Sequence, residues 1–339
     1  MSTEAYRTAG VNRDAANQVK DRIALHARST FTPGVLGEIG GFGSLFQITG
    51  FQEPILVSHT DSVGTKVKVA AALGNYAGLG TDIVHHCTND ILTTGAKPLF
   101  FLDYIGTGKV EINQIEALVG GMVQACRELE CALIGGETAE LPGLYQGDDL
   151  DLVGFVVGAV EKADLIDNSR IQAGDLLLGL PSSGLHTNGF SLVRRIFHID
   201  TNPAVLNLQP PALTMSLGAS LITPHRSYYR TLEPVLGMIK GMAHITGGGL
   251  IENVPRILQE NLAARIDIGS WEIPSLFHLI QESGAVDQEE MFRVFNMGVG
   301  MVVVVGKEEA TTVKAKVLEA RVIGEIVERK NGAPVMLRS

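Results

Sequence analysis

Apolar and polar positions along this chain repeat with two different periods, and each change of period marks an element. Short apolar runs bounded by turn residues predict strands at Leu45–Ile48, Pro54–Ser58, Lys97–Ile105, Cys131–Ile134 and Asp151–Val160. Between them the pattern turns helical. Val19, Ile23 and Ala27 predict a helix from an N-cap at Asp14 to Arg28, and a second helix is read over residues 66–73. Leu79, Ile83, Cys87 and Ile91 recur every four residues and form a buried stripe over residues 79–94, with Asp82, His86 and Asp90 in a polar line at the same spacing. The regular steps of three and four from Ile112 through Ile115, Val119, Met122 and Cys126 to Leu129 predict another helix, a core-packing element with no chemistry of its own.

The stretch from Glu161 to Ala173 mixes charges with turn residues and separates two domains, residues 1–163 and 170–339. Beyond it, strands are predicted at 175–180, 264–268, 301–305 and 322–327. Helices are predicted at 224–236, 274–282, 288–295 and 308–320. The fold class is therefore α+β with two domains, the second a layered α/β unit.

Composition narrows the function. Of 339 residues 45% are hydrophobic and 19% charged, and the longest apolar run, Val299–Val305, is too short to span a bilayer. The three cysteines lack C-x-x-C spacing, and no basic and apolar leader is visible, so a cytoplasmic location with reduced thiols is expected. A net charge of −10 disfavours nucleic-acid and membrane partners. Most of it falls in residues 111–166, while Arg194, Arg195, Arg226 and Arg230 form a basic group that an anionic substrate could use. Glycine is abundant, 39 residues, and clusters at Gly40-Gly41-Phe42-Gly43, Gly135-Gly136 and Gly247-Gly248-Gly249. Such clusters let backbone N–H groups approach a ligand closely.

The richest stretch is His59-Thr60-Asp61-Ser62-Val63-Gly64-Thr65-Lys66, which follows a strand. Asp61 is suited to Mg²⁺ and Lys66 to a phosphate, the competing reading being a solvated turn. A second carboxylate loop, Gly135-Gly136-Glu137-Thr138-Ala139-Glu140, repeats the design. Neither a dinucleotide fingerprint nor a Walker A loop is present: Phe46 stands where the third glycine of G-x-G-x-x-G would fall, and Val110 follows Gly108-Lys109. In the second half, His186 lies in the loop Ser182-Ser183-Gly184-Leu185-His186-Thr187-Asn188-Gly189 ahead of a helix start, a natural anion site.

Taken in order, these motifs resemble the phosphoribosylformylglycinamidine cyclo-ligase family over nearly the whole chain. The resemblance rests on Tyr6 with Ala9-Gly10-Val11, the glycine loop 40–43, Thr60 to Lys66, Asn89-Asp90, Pro98 to Tyr104, Gly135 to Glu140 with Pro142-Gly143, Ser182 to Leu192, His244 to Gly249 and Asn296 to Met301. It implies ATP-dependent ring closure of formylglycinamidine ribonucleotide in purine biosynthesis, and a homodimer whose N-terminal mixed sheets pair into one barrel. By position it implies Asp61, Asp90 and Glu137 as Mg²⁺ carboxylates and Lys66 as a phosphate contact. Gly40, Gly41, Phe42 and Gly43 become a lid over ATP, joined at the nucleotide by Thr65 and Gly136. His186, Thr187, Asn188, Thr246, Gly247 and Gly248 fall on the substrate side, with Asp90, His186 and Lys66 as the catalytic group; a K⁺ requirement stays open. Three positions depart from the family pattern: Ser62 for Gly, Asn12 for Asp and His225 for Thr. A kinase of the same superfamily, such as thiamine-monophosphate kinase, is the main rival reading, and a silent nucleotide-binding regulator is a second.

Overall fold

The structure is a computed structural model that describes residues 22–146 and 149–338. The Tyr6 to Val11 motif, Asn12 and the predicted helix start at Asp14 lie outside the described residues; residues 22–28 are helical. Two compact units result, one from residues 1–91 and 97–161, the other from 92–96 and 162–339.

The N-terminal unit carries strands β1 (Pro54–Ser62), β2 (Lys97–Thr107), β3 (Ala132–Glu140) and β4 (Leu150–Glu161) with helices α1 (Lys66–Leu73), α2 (Ala77–Leu92) and α3 (Ile112–Glu128). The sheet order is β1-β4-β2-β3. β4 pairs antiparallel with both β1 and β2, and β2 pairs parallel with β3. Alternate residues of β1 and β4 therefore face opposite sides. Val156 and Val160 are buried, whereas Leu56 and Phe155 on the other side are 56% and 38% exposed. One face is covered and the other leaves apolar side chains uncovered within a single chain.

Helix α2 crosses α3 at close range because each contributes a glycine. A Cβ built on Gly80 would lie 1.9 Å from the Leu118 carbonyl oxygen, and one on Gly121 would lie 2.0 Å from that of Ala77. Their backbones touch, with the stripe Leu79, Ile83, Cys87 and Ile91 fully buried as its spacing requires.

In the C-terminal unit six strands, β5 (Leu176–Pro181), β6 (Ile239–His244), β7 (Leu262–Asp267), β8 (Val299–Val305), β9 (Arg321–Glu328) and β10 (Val335–Arg338), form one sheet in the order β10-β7-β9-β5-β8-β6. The strands and helices alternate as expected, yet only β10 and β7 pair in parallel. Strand β8 is buried at every residue, which explains its unbroken valines.

Three local expectations change. Leu45–Ile48 forms no strand; Phe46 makes one isolated bridge to Val35. The supposed loop at Gly135-Gly136-Glu137 is strand, because β2 offers a parallel partner through Thr107 and pairing overrides the low strand preference of glycine. The helix predicted over 224–236 is cut to Tyr229–Leu232 and continues as a tighter 3₁₀ turn. Pro234 lacks the amide that a longer helix needs.

The glycine contact gives an internal control. Gly121→Ala is expected to lower unfolding free energy by more than about 2 kcal/mol through forced helix separation. Gly120→Ala, whose Cβ would meet nothing within 4 Å, should instead stabilise by roughly 0.5–1 kcal/mol. Urea denaturation of both variants separates these outcomes.

Candidate active site

In the N-terminal unit the strand register decides which acids can meet. Asp61 on β1 stands opposite Gly154 on β4, Gly154 opposite Asp103 on β2, and Asp103 opposite Gly136 on β3. This row runs straight across the sheet on its helix-covered face. Gly154 is required there, since a Cβ would meet Phe101, Ile83 and Cys87 at 2.4 to 3.2 Å. Gly136 is required too: the Asp103 carboxylate fills the space its Cβ would take, 2.2 Å away.

At the β1 end of the row four side chains converge. His59 and Asp61 alternate along the strand onto one face, and His86 and Asp90 lie one helical turn apart on α2. His59 Nε2 is 3.2 Å from Asp90 Oδ2 and 3.6 Å from Asp61 Oδ2. His86 Nε2 is 2.9 Å from Asp61 Oδ2 and 3.4 Å from Asp90 Oδ2. The backbone amide of Ser62 donates to Asp61 Oδ1 at 2.7 Å. The carboxylates of Asp61 and then Asp90 close beside it push the His59 imidazole up to about 9, against the opposing pull of burial. For Asp61, burial acts upward, but the His59 imidazole beside it and the His86 hydrogen bond outweigh it and hold the carboxyl well below the ordinary carboxylate range. The helix spacing of Asp82, His86 and Asp90 already pointed at this cluster; His59 was missed as a participant, although its i, i+2 relation to Asp61 on a strand was visible.

Lys66 and Glu137 sit elsewhere. The Lys66 ammonium is buried at the start of α1 and lies 2.7 Å from Asp82 of α2. Burial draws its pKa down, opposed by Asp82. Glu137 follows Gly136 on β3, so it projects from the opposite face to Asp61 and lies three strand spacings away, on the order of 14 Å. Within one chain, then, Asp61 and Asp90 meet, whereas Glu137 and Lys66 do not join them.

Glu137 instead lines a cavity of about 700 Å³ bounded by Gly40, Gly41, Phe42, Gly43, Asp103, Gly136 and Thr138, among others. The glycine loop is tied to the sheet by Ser44, whose hydroxyl donates to the Ile134 carbonyl at 2.7 Å, and Phe42 is fully exposed at the loop's tip. Burial, reinforced by the nearby Glu137, raises the Asp103 carboxyl to about 7. Asp103 was named in the sequence only as part of a motif; its role under Gly136 needed the register.

In the C-terminal unit the predicted residues cluster. His186 takes a left-handed backbone conformation at φ +61° and is buried. Its Nε2 accepts from the Ser183 amide at 3.1 Å. Its ring stacks on His225 with centroids 3.7 Å apart, and His225 Nε2 is 3.1 Å from His244 Nε2. Asn253 donates to the carbonyls of Thr246, Gly247 and Gly249 at 2.9 to 3.4 Å and so holds the glycine loop. A Cβ on Gly247 would lie 3.2 Å from Asn188 Oδ1, which places Asn188 against that loop. Asn296 accepts from Ser182 and Gly298 and donates to Gly184. The arginine group does not form an open anion site: Arg194 pairs with Asp200, Arg226 with Glu319 and Arg230 with Glu233.

This architecture has known counterparts. The model of the AIR synthase related protein N-terminal domain matches residues 48–160, and that of its C-terminal domain matches residues 172–336. Solved structures with the same fold include thiamine-monophosphate kinase from Stenotrophomonas maltophilia, at 20% identity and TM-score 0.62 over 94% of each chain. The hydrogenase maturation protein HypE in complex with ATP aligns at 16% identity and TM-score 0.66, covering 95% of this chain and 90% of that one. The class is thus the two-domain AIR-synthase-related α+β proteins.

Sequence relatives narrow it. Phosphoribosylformylglycinamidine cyclo-ligase from Thermoanaerobacter pseudethanolicus is 48% identical over 96% of this chain and 98% of its own length. That from Geobacillus thermodenitrificans is 49% identical over 96% of both. The chain belongs to the phosphoribosylformylglycinamidine cyclo-ligase family, and its reaction is the ATP-dependent ring closure of purine biosynthesis.

The raised Asp103 carboxyl has a thermodynamic consequence. Its folded value, about 7, lies above the roughly 3.9 of an unfolded aspartate, so its contribution to stability is complete below pH 4 and is lost as pH rises through 7. Asp103→Asn should therefore melt a few degrees above the parent at pH 8, with the difference shrinking toward pH 5, as read by thermal denaturation at both pH values.

Proposed function

We propose that the two units divide the ring closure, the N-terminal unit holding ATP and the C-terminal unit holding formylglycinamidine ribonucleotide. The division at residues 163 and 170 is supported by where the ligand-sized features fall. The glycine loop 40–43, Gly136 and Glu137 share one cavity wall, which fits a nucleotide closed under a mobile lid. Carrying Phe42 at the exposed tip gives that lid an apolar side chain to lay over a base. Thr65, immediately before α1, belongs to the nucleotide side in the same reading.

A Mg²⁺ ion would be held by Asp61 and Asp90, whose carboxylates already face each other across the two imidazoles, and it would supply charge neutralisation on the transferring phosphoryl. Glu137 would act from the cavity side, at the nucleotide. Lys66 can contact a phosphate only by exchanging Asp82 for it, since the pair is buried; its resting role is to hold α1 on α2. K⁺ would be a second, oxygen-bound cation, and no donor set among the described residues singles out a place for it.

The chemistry asks for two things from the chain. An amide oxygen leaves poorly until phosphorylated, so the formyl oxygen must face the phosphoryl donor with water excluded, because an activated imidate hydrolyses. On the substrate side His186, Thr187, Asn188 and the Thr246 to Gly248 loop are held rigidly by Asn253 and Asn296, which suits them to orienting a ribonucleotide rather than adapting to it. His186 Nε2 is occupied by the Ser183 amide, so the ring is fixed in one orientation.

The homodimer with a shared barrel is supported by the uncovered sheet face. Leu56 and Phe155 are exposed on it, and β1 is an edge strand whose free side would aggregate if left bare. A second copy covers both.

The observation that carries this reading is the convergence of Asp61 and Asp90 from separate elements. Asp90→Asn is expected to cut aminoimidazole ribonucleotide formation by at least about 100-fold with the circular dichroism spectrum intact; near-parent turnover at saturating Mg²⁺ would remove Asp90 from the site. His186→Ala should lose turnover while ATP affinity, followed by fluorescent nucleotide titration, changes less than about twofold. ADP release without the ring product would indicate the kinase alternative.

A further inference from the structure

The cluster at the end of β1 contains more than an oxygen site for Mg²⁺. Its four candidate donor atoms are two imidazole nitrogens and two carboxylate oxygens, all within 4.8 Å of one another. They alternate N, O, N, O around a ring whose four edges are 3.2, 3.4, 2.9 and 3.6 Å. Four donors at about 2.0–2.1 Å from one ion have edges of about 3.3 Å in a tetrahedron and about 2.9 Å in an octahedron. The observed edges straddle these values.

We propose that His59, Asp61, His86 and Asp90 form one N₂O₂ site that, besides Mg²⁺ on its two carboxylates, takes a transition-metal dication on all four donors and holds it more tightly. The inference rests on the reading of Asp61 and Asp90 as metal carboxylates and adds the two imidazoles to it. Mg²⁺ is hard, takes oxygen donors and keeps its waters, whereas imidazole suits Zn²⁺, Co²⁺ and related ions, whose affinities for mixed N and O sites rise along the Irving–Williams series.

The placement of the donors supports this. All four come from two regular elements: the strand presents positions i and i+2 on one face, and the helix presents i and i+4. His86 is almost wholly buried, its side chain 4% exposed, and is pointed at the two carboxylates from beneath. Asp61, at 42%, and His59, at 33%, leave the outer side open. An ion here would keep a position for water or a phosphate oxygen, as catalytic rather than structural sites do. Asp61 is further oriented by the Ser62 amide on its other oxygen, the outer-shell support that metal carboxylates need.

The competing account is that the two imidazoles, protonated, simply neutralise the two carboxylates. Metal binding separates the accounts. Full-length protein stripped of metal is titrated with Co²⁺ alone, following visible absorption, and then challenged with excess Mg²⁺. The expected result is one Co²⁺ per chain, an intense band of low-coordinate cobalt, and no displacement by a thousandfold excess of Mg²⁺. His59→Ala and His86→Ala should each weaken Co²⁺ by at least roughly tenfold, a scale that even outer-shell losses reach, while leaving Mg²⁺ affinity unchanged. Because His86 is buried, the half-exposed His59 variant provides the test should His86→Ala fail to fold. Displacement by equimolar Mg²⁺, no saturable Co²⁺ binding, or full Co²⁺ affinity in the His59 variant would overturn the proposal. If instead the Co²⁺ site behaves as described but Asp90→Asn retains ring closure, the N₂O₂ site stands and the catalytic assignment of Asp90 falls.

Discussion

Strand β4 sits between β1 and β2, and its antiparallel register with both determines where the acids of the N-terminal unit can act. Because Gly154 is the common partner of Asp61 and Asp103, the two aspartates are locked two strand spacings apart on the covered face. Helix α2 can approach that row only because Gly154 has no side chain to hold it off. The approach delivers His86 and Asp90 to Asp61. A one-residue slip in β1 would turn His59 and Asp61 to the uncovered face and dissolve the cluster.

The same helix presents two electrostatic environments one turn apart. At Asp82 the partner is Lys66, both ends are buried, and removing either charge would leave the other stranded, so the pair holds α1 against α2 at the cost of desolvating both groups. At His86 and Asp90 the groups are open on one side, with the Asp61 carboxyl kept ionised by its imidazole neighbours. One pair is built to stay closed, while the other can exchange partners with solvent or a ligand. That contrast leaves Asp61 and Asp90 open to solvent on one side and Lys66 enclosed with Asp82, although all of them come from one short stretch and one helix.

The C-terminal unit solves a different problem, holding loops still. Asn253 and Asn296 each satisfy several backbone groups in glycine-rich turns, and His186 is fixed between the Ser183 amide and the His225 ring. Loops tied in this way over a fully buried strand such as β8 keep one shape. The paired arginines fit this picture, since they brace the surface of the unit.

Much of this was legible in the chain itself. Period-four spacing showed the buried stripe of α2 and the polar line Asp82, His86 and Asp90, because helical geometry is a local property. The run of motifs from the glycine loop to Met301 was enough to place the chain in its family. Strand pairing was not legible: Gly135 to Glu140 reads as a loop until β2 supplies a partner, and Asp103, Gly136 and Gly154 show no local sign that they share a row. Nor could a list of acids reveal that Asp61 meets two histidines, that Lys66 is taken by Asp82, or that Glu137 faces the other way. Periodicity records which face of its own element a residue occupies; which residues confront each other depends on register and on backbone approach between distant segments, and those are settled only when the sheet and its helices close together.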